Sequence, residues 1–196
     1  LLILVNIKYF MIYFFLKMYS IKIDPKYNKY QNPKIGLIAL ASDYMIEKDF
    51  INVIKDKKID FFVNRIECFN PLTSENLIKM SEKITEVTKD ILPNEKIDCV
   101  VYGCTSGTIA AGYQSIEKKI KKAKPEAEVT TPSTASIKAL KKLNLNKIAI
   151  FTPYPKKLND EVIDFFEKEN FQITSNSYFD IASDIDIGKV DANYLY

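Results

Sequence analysis

The segment VVYGCTSGTIAAGY, residues 100–113, places a cysteine where an apolar run gives way to small residues. Cys104 is followed by two hydroxyl residues, Thr105 and Ser106, and this triplet lies between two glycines. A cysteine that ends a strand and opens a helix feels the positive end of the helix dipole, which lowers the thiol pKa. The resulting thiolate can remove a proton next to a carboxylate or add to an electron-poor double bond. The amides and hydroxyls that follow can hold a carboxylate or a developing enolate.

The alternative for Cys104 is a structural cysteine in a tight turn, since cysteine is common in protein cores. The two other cysteines, Cys68 near the end of a strand and Cys99 within one, are assigned to the core. The sequence has no histidine, which excludes Ser-His-Asp and Cys-His catalysis and histidine metal sites. An odd number of cysteines without CxxC spacing predicts reduced thiols in the cytoplasm and no metal site.

The charge balance argues against a nucleic-acid partner. The 196 residues include 28 basic and 25 acidic side chains, for a net charge of +3. The densest basic run is interpreted as the solvated face of a helix and comprises Lys118, Lys119, Lys121, Lys122 and Lys124. No nucleic-acid-binding motif accompanies it.

Residues 1–17, LLILVNIKYFMIYFFLK, are almost all apolar and do not begin with Met. The run is shorter than a usual membrane span of about 20 residues, and it contains Asn6 and Lys8. It also lacks the basic start and small-residue cleavage site of a signal peptide. We therefore interpret Met18 or Met11 as the translation start, with no membrane association. A membrane anchor is the alternative if the earlier residues are native.

Apolar runs typical of buried strands alternate with amphipathic segments along the rest of the chain. The predicted strands are residues 34–42, 60–68, 97–104, 127–133, 147–154 and 171–180. The predicted helices are residues 45–56, 74–92, 105–123, 134–144 and 155–170, with Thr73 or Ser74 as the cap of the second. This alternation predicts an α/β fold with parallel sheets.

Ligands of such sheets bind at the carboxyl ends of the strands. After the first, third and fifth strands the sequence has Asp43, Cys104 and the Thr-Pro-Tyr turn that ends at Tyr154. Tyr154 is either a surface cover of a rigid turn or a hydrogen-bond donor to a carboxylate across a cleft.

The strands KIGLIAL and KIAIFTP both begin with lysine and both lead through a loop into a helix, which suggests two similar halves. We predict a lead-in at residues 1–33, a first half at 34–143 and a partial second half at 144–196.

Five stretches together resemble the aspartate/glutamate racemase superfamily, and within it the branch of maleate cis-trans isomerases, arylmalonate decarboxylases and the ectoine-utilisation protein EutA. They are GLIALASDYMIEKDF, NPLTSENLIKM, DCVVYGCTSGTIAAG, VTTPSTASIKALKKL and IAIFTPYPKKLNDEV. The likeness covers residues 34–190. It implies two flavodoxin-like halves related by pseudo-twofold symmetry, the second truncated, with a site between them and no metal or organic cofactor.

The resemblance also implies roles. Cys104 matches the first cysteine of the family, which in the maleate isomerases adds to the substrate double bond. Thr105 and Ser106 match the carboxylate-binding residues, and Tyr154 matches the substrate-binding tyrosine. The second cysteine of the family would fall beyond Tyr196, so we expect these 196 residues alone to be inactive.

Two aspartates depart from the maleate isomerases, which have asparagines in the same places. They are Asp43 and, by a less secure match, Asp184. An ionised aspartate cannot donate a hydrogen bond and repels a substrate carboxylate. The change suits a substrate with a cationic or amide-bearing part, or an aspartate that is held protonated. We therefore expect a cofactor-independent isomerase, racemase or lyase that acts on a small carboxylate through the Cys104 thiolate, as in EutA-like ectoine utilisation. Maleate isomerase is the alternative, and a non-catalytic carboxylate-binding protein of the same fold is the third. A homo-oligomer stays open.

Overall fold

The computed structural model describes residues 20–27, 29 and 32–195. Internal contacts divide the chain between residues 31 and 32, and the account below concerns residues 32–195. Residues 1–17, on which the membrane-anchor alternative depends, lie outside the described residues. Across the described segments, no helix combines the length and the apolarity needed to cross a bilayer.

The first sheet has four parallel strands. Its members are β1 (Lys34–Leu40), β2 (Asp60–Ile66), β3 (Cys99–Tyr102) and β4 (Glu128–Thr130), in the order β2-β1-β3-β4. Leu40 pairs with Ile66 and Ile38 with Tyr102, so the carboxyl ends of the three longest strands lie at one edge. The second sheet pairs β5 (Lys147–Thr152) with β6 (Gln172–Tyr178), also in parallel.

Helices separate the strands as predicted. They are α1 (Ile46–Ile54), α2 (Ser74–Ser81), α3 (Ile84–Lys89), α4 (Thr105–Ala111), α5 (Tyr113–Ala123), α6 (Pro132–Lys142), α7 (Lys156–Lys168) and α8 (Asp184–Ile187), followed by a 3₁₀ turn at Ala192–Leu195. The two sheets fall on either side of the predicted boundary between residues 143 and 144, which itself stays a prediction. Thr73 caps α2, because its hydroxyl accepts the N–H of Asn76 at 3.2 Å.

Two predicted long helices are each broken in two, so those predicted bounds are wrong. Gly112 separates α4 from α5 with φ +79°, a conformation that glycine adopts at little cost. Between α2 and α3, the hydroxyl of Ser81 donates to the carbonyl of Ile78 at 2.6 Å, a bond that competes with regular helix hydrogen bonding.

The first sheet is buried on both faces, which explains its continuous apolar strands. Ile38 and Leu40 point into a cluster with residues of α2, α3 and α5. Leu37 and Ala39 point the other way, into a cluster that α1 joins through Phe50.

The lysine-rich run is only partly a solvated face. Lys119 donates to the Ser81 hydroxyl at 2.7 Å. Lys124 is buried, and its ammonium donates to the carbonyls of Leu92 and Glu95 at 2.8 Å each. These two side chains therefore fasten α5 to neighbouring segments, because a buried ammonium needs hydrogen-bond acceptors.

Candidate active site

The candidate site lies at the carboxyl ends of β1, β2, β3 and β5, where the segment after β6 returns to the first sheet. The N–H of Leu72 donates to the carbonyl of Ala182 at 2.8 Å. The N–H of Asp184 donates to the side-chain oxygen of Asn70 at 3.0 Å. These two bonds bring Asp184 beside the loops that follow β1 and β2.

Cys104 joins β3 to α4 and caps the helix. Its Sγ accepts the N–H of Gly107 at 3.2 Å and lies 3.9 Å from the Ser106 hydroxyl. Its carbonyl accepts the hydroxyl of Thr108 at 2.6 Å, which holds the turn closed. The side chain is almost completely buried, at 3% exposure.

The predicted lowering of the Cys104 pKa is wrong for this structure. Burial raises the pKa of the thiol to about 12, since a thiolate loses its hydration there. The Gly107 amide and the Ser106 hydroxyl lower the pKa, as the helix terminus predicts, but by less than burial raises it. The neighbouring acids Cys68 and Asp184 raise it further. Cys104 is therefore a thiol in the free protein at neutral pH.

Tyr154 meets the Cys104 turn from the second sheet. Burial, and then the nearby Cys104, raise the pKa of its phenol to about 12, whereas the hydroxyls of Ser106 and Thr105 lower it. The structure thus brings together four of the predicted site residues. A protonated phenol next to two hydroxyls can donate to a carboxylate.

Asp43 has a structural role in the loop after β1. Its carboxylate accepts the N–H groups of Met45 at 2.7 Å and Ile46 at 2.9 Å, which caps the start of α1. The guanidinium of Arg65 donates to the Asp43 carbonyl at 3.1 Å, and it also donates to the carbonyls of Leu40 and Ala41, where β1 leads into this loop.

Asp184 is half-buried and accepts a 2.5 Å hydrogen bond from the hydroxyl of Ser42. Burial raises the pKa of its carboxyl, the Ser42 hydroxyl lowers it, and the charge of Asp43 raises it. The charge of Asp43 therefore acts on Asp184, although the two carboxylates have different hydrogen-bond donors.

Three further residues lie at this edge. Ser42 and Asn70, which the sequence analysis missed, hold Asp184. Cys68 packs half-buried against the first core cluster, as assigned, and also lies close enough to Asp184 and Ser42 to feel both. Burial raises the pKa of the Cys68 thiol to about 11, Asp184 raises it further, and the Ser42 hydroxyl lowers it. All three follow β1 or β2, so the rule of strand carboxyl ends could have found them if it had been applied to both loops.

Cys99 differs from the other two cysteines. It packs on the opposite face of the first sheet, with the cluster around Leu37. Among the described residues, no group of three or more Cys, Asp or Glu side chains is arranged to hold a metal ion.

The sequence matches a known family model and resembles several maleate isomerases. The arylmalonate decarboxylase family model matches residues 70–196. A maleate isomerase of Geobacillus stearothermophilus is 22% identical over 172 residues, which are 81% of this chain and 68% of that protein.

Solved structures resemble the fold. A Nocardia farcinica maleate cis-trans isomerase variant with a covalently bound succinylcysteine intermediate superposes with a TM-score of 0.75, at 18% identity, over 84% of this chain and 71% of that one. A liganded arylmalonate decarboxylase variant gives 0.73, at 22% identity, over 84% and 69%. These likenesses confirm the predicted α/β fold with flavodoxin-like parallel-sheet halves.

Proposed function

The chain belongs to the arylmalonate decarboxylase family, and we propose that it is a cofactor-independent isomerase of small unsaturated carboxylates, of the maleate cis-trans isomerase type. The observation that carries the proposal is the placement of Cys104. Its sulfur accepts an amide N–H at the carboxyl end of a central strand, and Tyr154 lies beside it. Maleate isomerases among the relatives, one of them with a succinylated cysteine, support the same chemistry.

Covalent addition, the first step, needs only the Cys104 thiol and the substrate. The sulfur of Cys104 forms a bond to one alkene carbon while the π pair moves to the other carbon, which takes up the thiol proton. The central carbon–carbon bond of the resulting succinyl thioether is single and rotates. Loss of the sulfur from one carbon and of a proton from the other restores the double bond in the trans geometry. The proton returns to the sulfur, which regenerates the thiol.

The neighbours of Cys104 have separate roles in this proposal. The hydroxyls of Thr105 and Ser106 hold one substrate carboxylate, and the phenol of Tyr154 donates to it. Negative charge that develops on the carbon next to a carboxylate is stabilised by the same donors. Burial excludes water, which strengthens each of these hydrogen bonds.

A second candidate substrate is favoured by the two aspartates. The carboxyl of Asp184, with Asp43 close enough to raise its pKa, lies at the edge of the site and repels a dianion such as maleate when ionised. A cyclic amidine with one carboxylate, such as ectoine, would instead place its cation beside Asp184. The relatives favour maleate, so ectoine utilisation is the alternative.

The three free cysteines suit a reducing compartment, and we propose the cytoplasm. The inactivity expected of residues 1–196 alone stays a prediction. The test of function therefore looks for a covalent adduct, which needs only the first thiol, and for ligand binding.

The experiment incubates the 196-residue chain with maleate, then digests it and analyses the peptides by mass spectrometry. We expect a succinyl group on Cys104, its loss in Cys104→Ser, and its retention in the matched control Cys99→Ser. Thermal shift with maleate and with ectoine accompanies it. Stabilisation by ectoine alone supports the second candidate, and stabilisation without an adduct supports a non-catalytic binding protein. Neither binding nor adduct with either compound contradicts the proposal.

A further inference from the structure

The hydroxyl of Tyr102 is a buried polar group that the fold does not use. Tyr102 is the last residue of β3, its exposure is 0%, and its hydroxyl has no hydrogen-bond partner among the residues that the structure describes. A buried hydroxyl without a partner destabilises the folded protein, because it has lost its hydrogen bonds to water. Buried polar groups without partners are rare in native proteins, which points to a functional role for this hydroxyl.

The place of this hydroxyl is next to the Cys104 sulfur. A Cβ added to Gly107 would meet the Tyr102 hydroxyl oxygen at 2.6 Å and the Cys104 Sγ at 2.8 Å. Both atoms thus border the same small space, which stays open only because residue 107 is glycine.

We propose that Tyr102 is a positioning residue for Cys104, whose hydroxyl donates a hydrogen bond to the sulfur when the sulfur is a thiolate. This inference rests on the proposed function, in which the Cys104 sulfur gives up its proton as it attacks the substrate. With the thiol protonated, the hydroxyl has no hydrogen-bond partner within residues 32–195 or the other described positions. With the proton removed, it joins the Gly107 amide as a second donor to the charged sulfur.

The described groups around Cys104 include no cation that would stabilise its thiolate, so a neutral hydrogen-bond donor is needed. The titratable groups that face it are all acids: Cys68 after β2, Asp184 in α8, Tyr154 after β5, and Tyr102 itself. Within the described part of the chain, no lysine or arginine is among the groups that shift its pKa. Burial keeps the pKa of Tyr102 well above its ordinary value, so its phenol remains a proton donor whenever the thiol ionises.

The test measures the rate of Cys104 alkylation against pH, without substrate, by peptide-resolved mass spectrometry on the 196-residue chain. Loss of a hydrogen bond to a charged group weakens thiolate stabilisation, and we expect Tyr102→Phe to move the Cys104 profile upward by about one pH unit. At a fixed pH below the midpoint, alkylation then slows about tenfold. Cys99 in the same samples serves as the internal reference.

Tyr113→Phe is the matched control, because it removes a tyrosine hydroxyl that donates to the Val129 carbonyl at 3.0 Å, away from Cys104. A site-specific fluorotyrosine at position 102 is a stronger donor of nearly the same shape, and it should move the Cys104 profile downward. A merely structural tyrosine predicts no shift in either variant, with Tyr102→Phe at least as stable as the parent. That outcome overturns the inference and leaves the proposed function, tested by the adduct, untouched.

Discussion

The hydroxyl of Ser42 donates a 2.5 Å hydrogen bond to the carboxylate of Asp184, 142 residues further along the chain. Ser42 follows the central strand of the first sheet, and Asp184 begins the helix after the second sheet. The bond therefore fixes a carboxyl group from the far end of the chain beside the loops that carry Cys68 and Cys104.

Asp184→Asn should stabilise the fold at neutral pH, because burial and Asp43 raise the pKa of this carboxyl. An acid whose pKa is higher in the folded state binds a proton more readily there, so stability falls as pH rises above the unfolded value of about 4. The gain from the substitution should appear above that pH and vanish below it. Urea unfolding at a series of pH values measures the difference.

Asp186→Asn, in the same helix, is the control with the opposite sign. The Asp186 carboxylate pairs with Lys189 at 2.7 Å, which lowers its pKa, and it is exposed. Its replacement should leave stability unchanged or slightly lower above pH 4. A loss of stability at pH 7 in Asp184→Asn as well would mean that the Ser42 bond outweighs the burial of charge.

Cys104 should react with small alkylating agents more slowly than Cys68 or Cys99 at pH 8, since it is the most buried thiol and its pKa is raised to about 12. Its rate should rise about tenfold for each pH unit, because only the thiolate reacts. Peptide-resolved alkylation reads the three thiols separately. Fast reaction of Cys104 at neutral pH would show that the helix terminus prevails over burial.

The sequence predicts the position of Cys104 in the fold but not the direction of its pKa shift. Continuous apolar runs located the strands, and the rule for parallel sheets placed Cys104 and Tyr154 at one edge. The sign of the Cys104 pKa shift is a competition between burial and two hydrogen bonds, and pattern alone does not give the depth of burial. The approach of Asp184 depends on contacts across more than a hundred residues, which no local pattern encodes.

The two helix breaks show that a sequence pattern can also miss where a helix ends. Gly112 marks one break, and its meaning depends on a positive φ that residue type permits but does not require. Lys119 and Lys124 are predicted as surface charges, because the sequence does not show the hydroxyl and carbonyls that accept their hydrogen bonds in the fold.

Gly107→Ala should destabilise the fold by about 1–3 kcal/mol, as overpacking of a tight interior does. The new methyl group would lie 2.6 Å from the Tyr102 hydroxyl and 2.8 Å from the Cys104 sulfur. It should also abolish the adduct with maleate by displacing the sulfur. Thermal unfolding and peptide mass spectrometry measure the two effects.

Gly112→Ala is the matched control for this steric effect. A Cβ at Gly112 meets no described atom within 4 Å, but the φ of +79° is strained for alanine. We expect a loss of about 1 kcal/mol from the backbone alone, with the Cys104 adduct retained. Equal adduct loss in both variants would point to general loosening of α4 in place of a local clash.

Tyr154→Phe should weaken maleate binding about tenfold or more, because a hydrogen bond to a charged group contributes about 1.5–3 kcal/mol. The phenol lies close to the proposed carboxylate-binding hydroxyls, because Cys104, Ser106 and Thr105 all shift its pKa. Titration calorimetry of the parent and the variant measures the change. Tyr178→Phe, at an exposed position on β6, provides the control and should bind as the parent does. Unchanged affinity in Tyr154→Phe would assign this tyrosine to packing and leave the hydroxyls of Thr105 and Ser106 as the carboxylate donors.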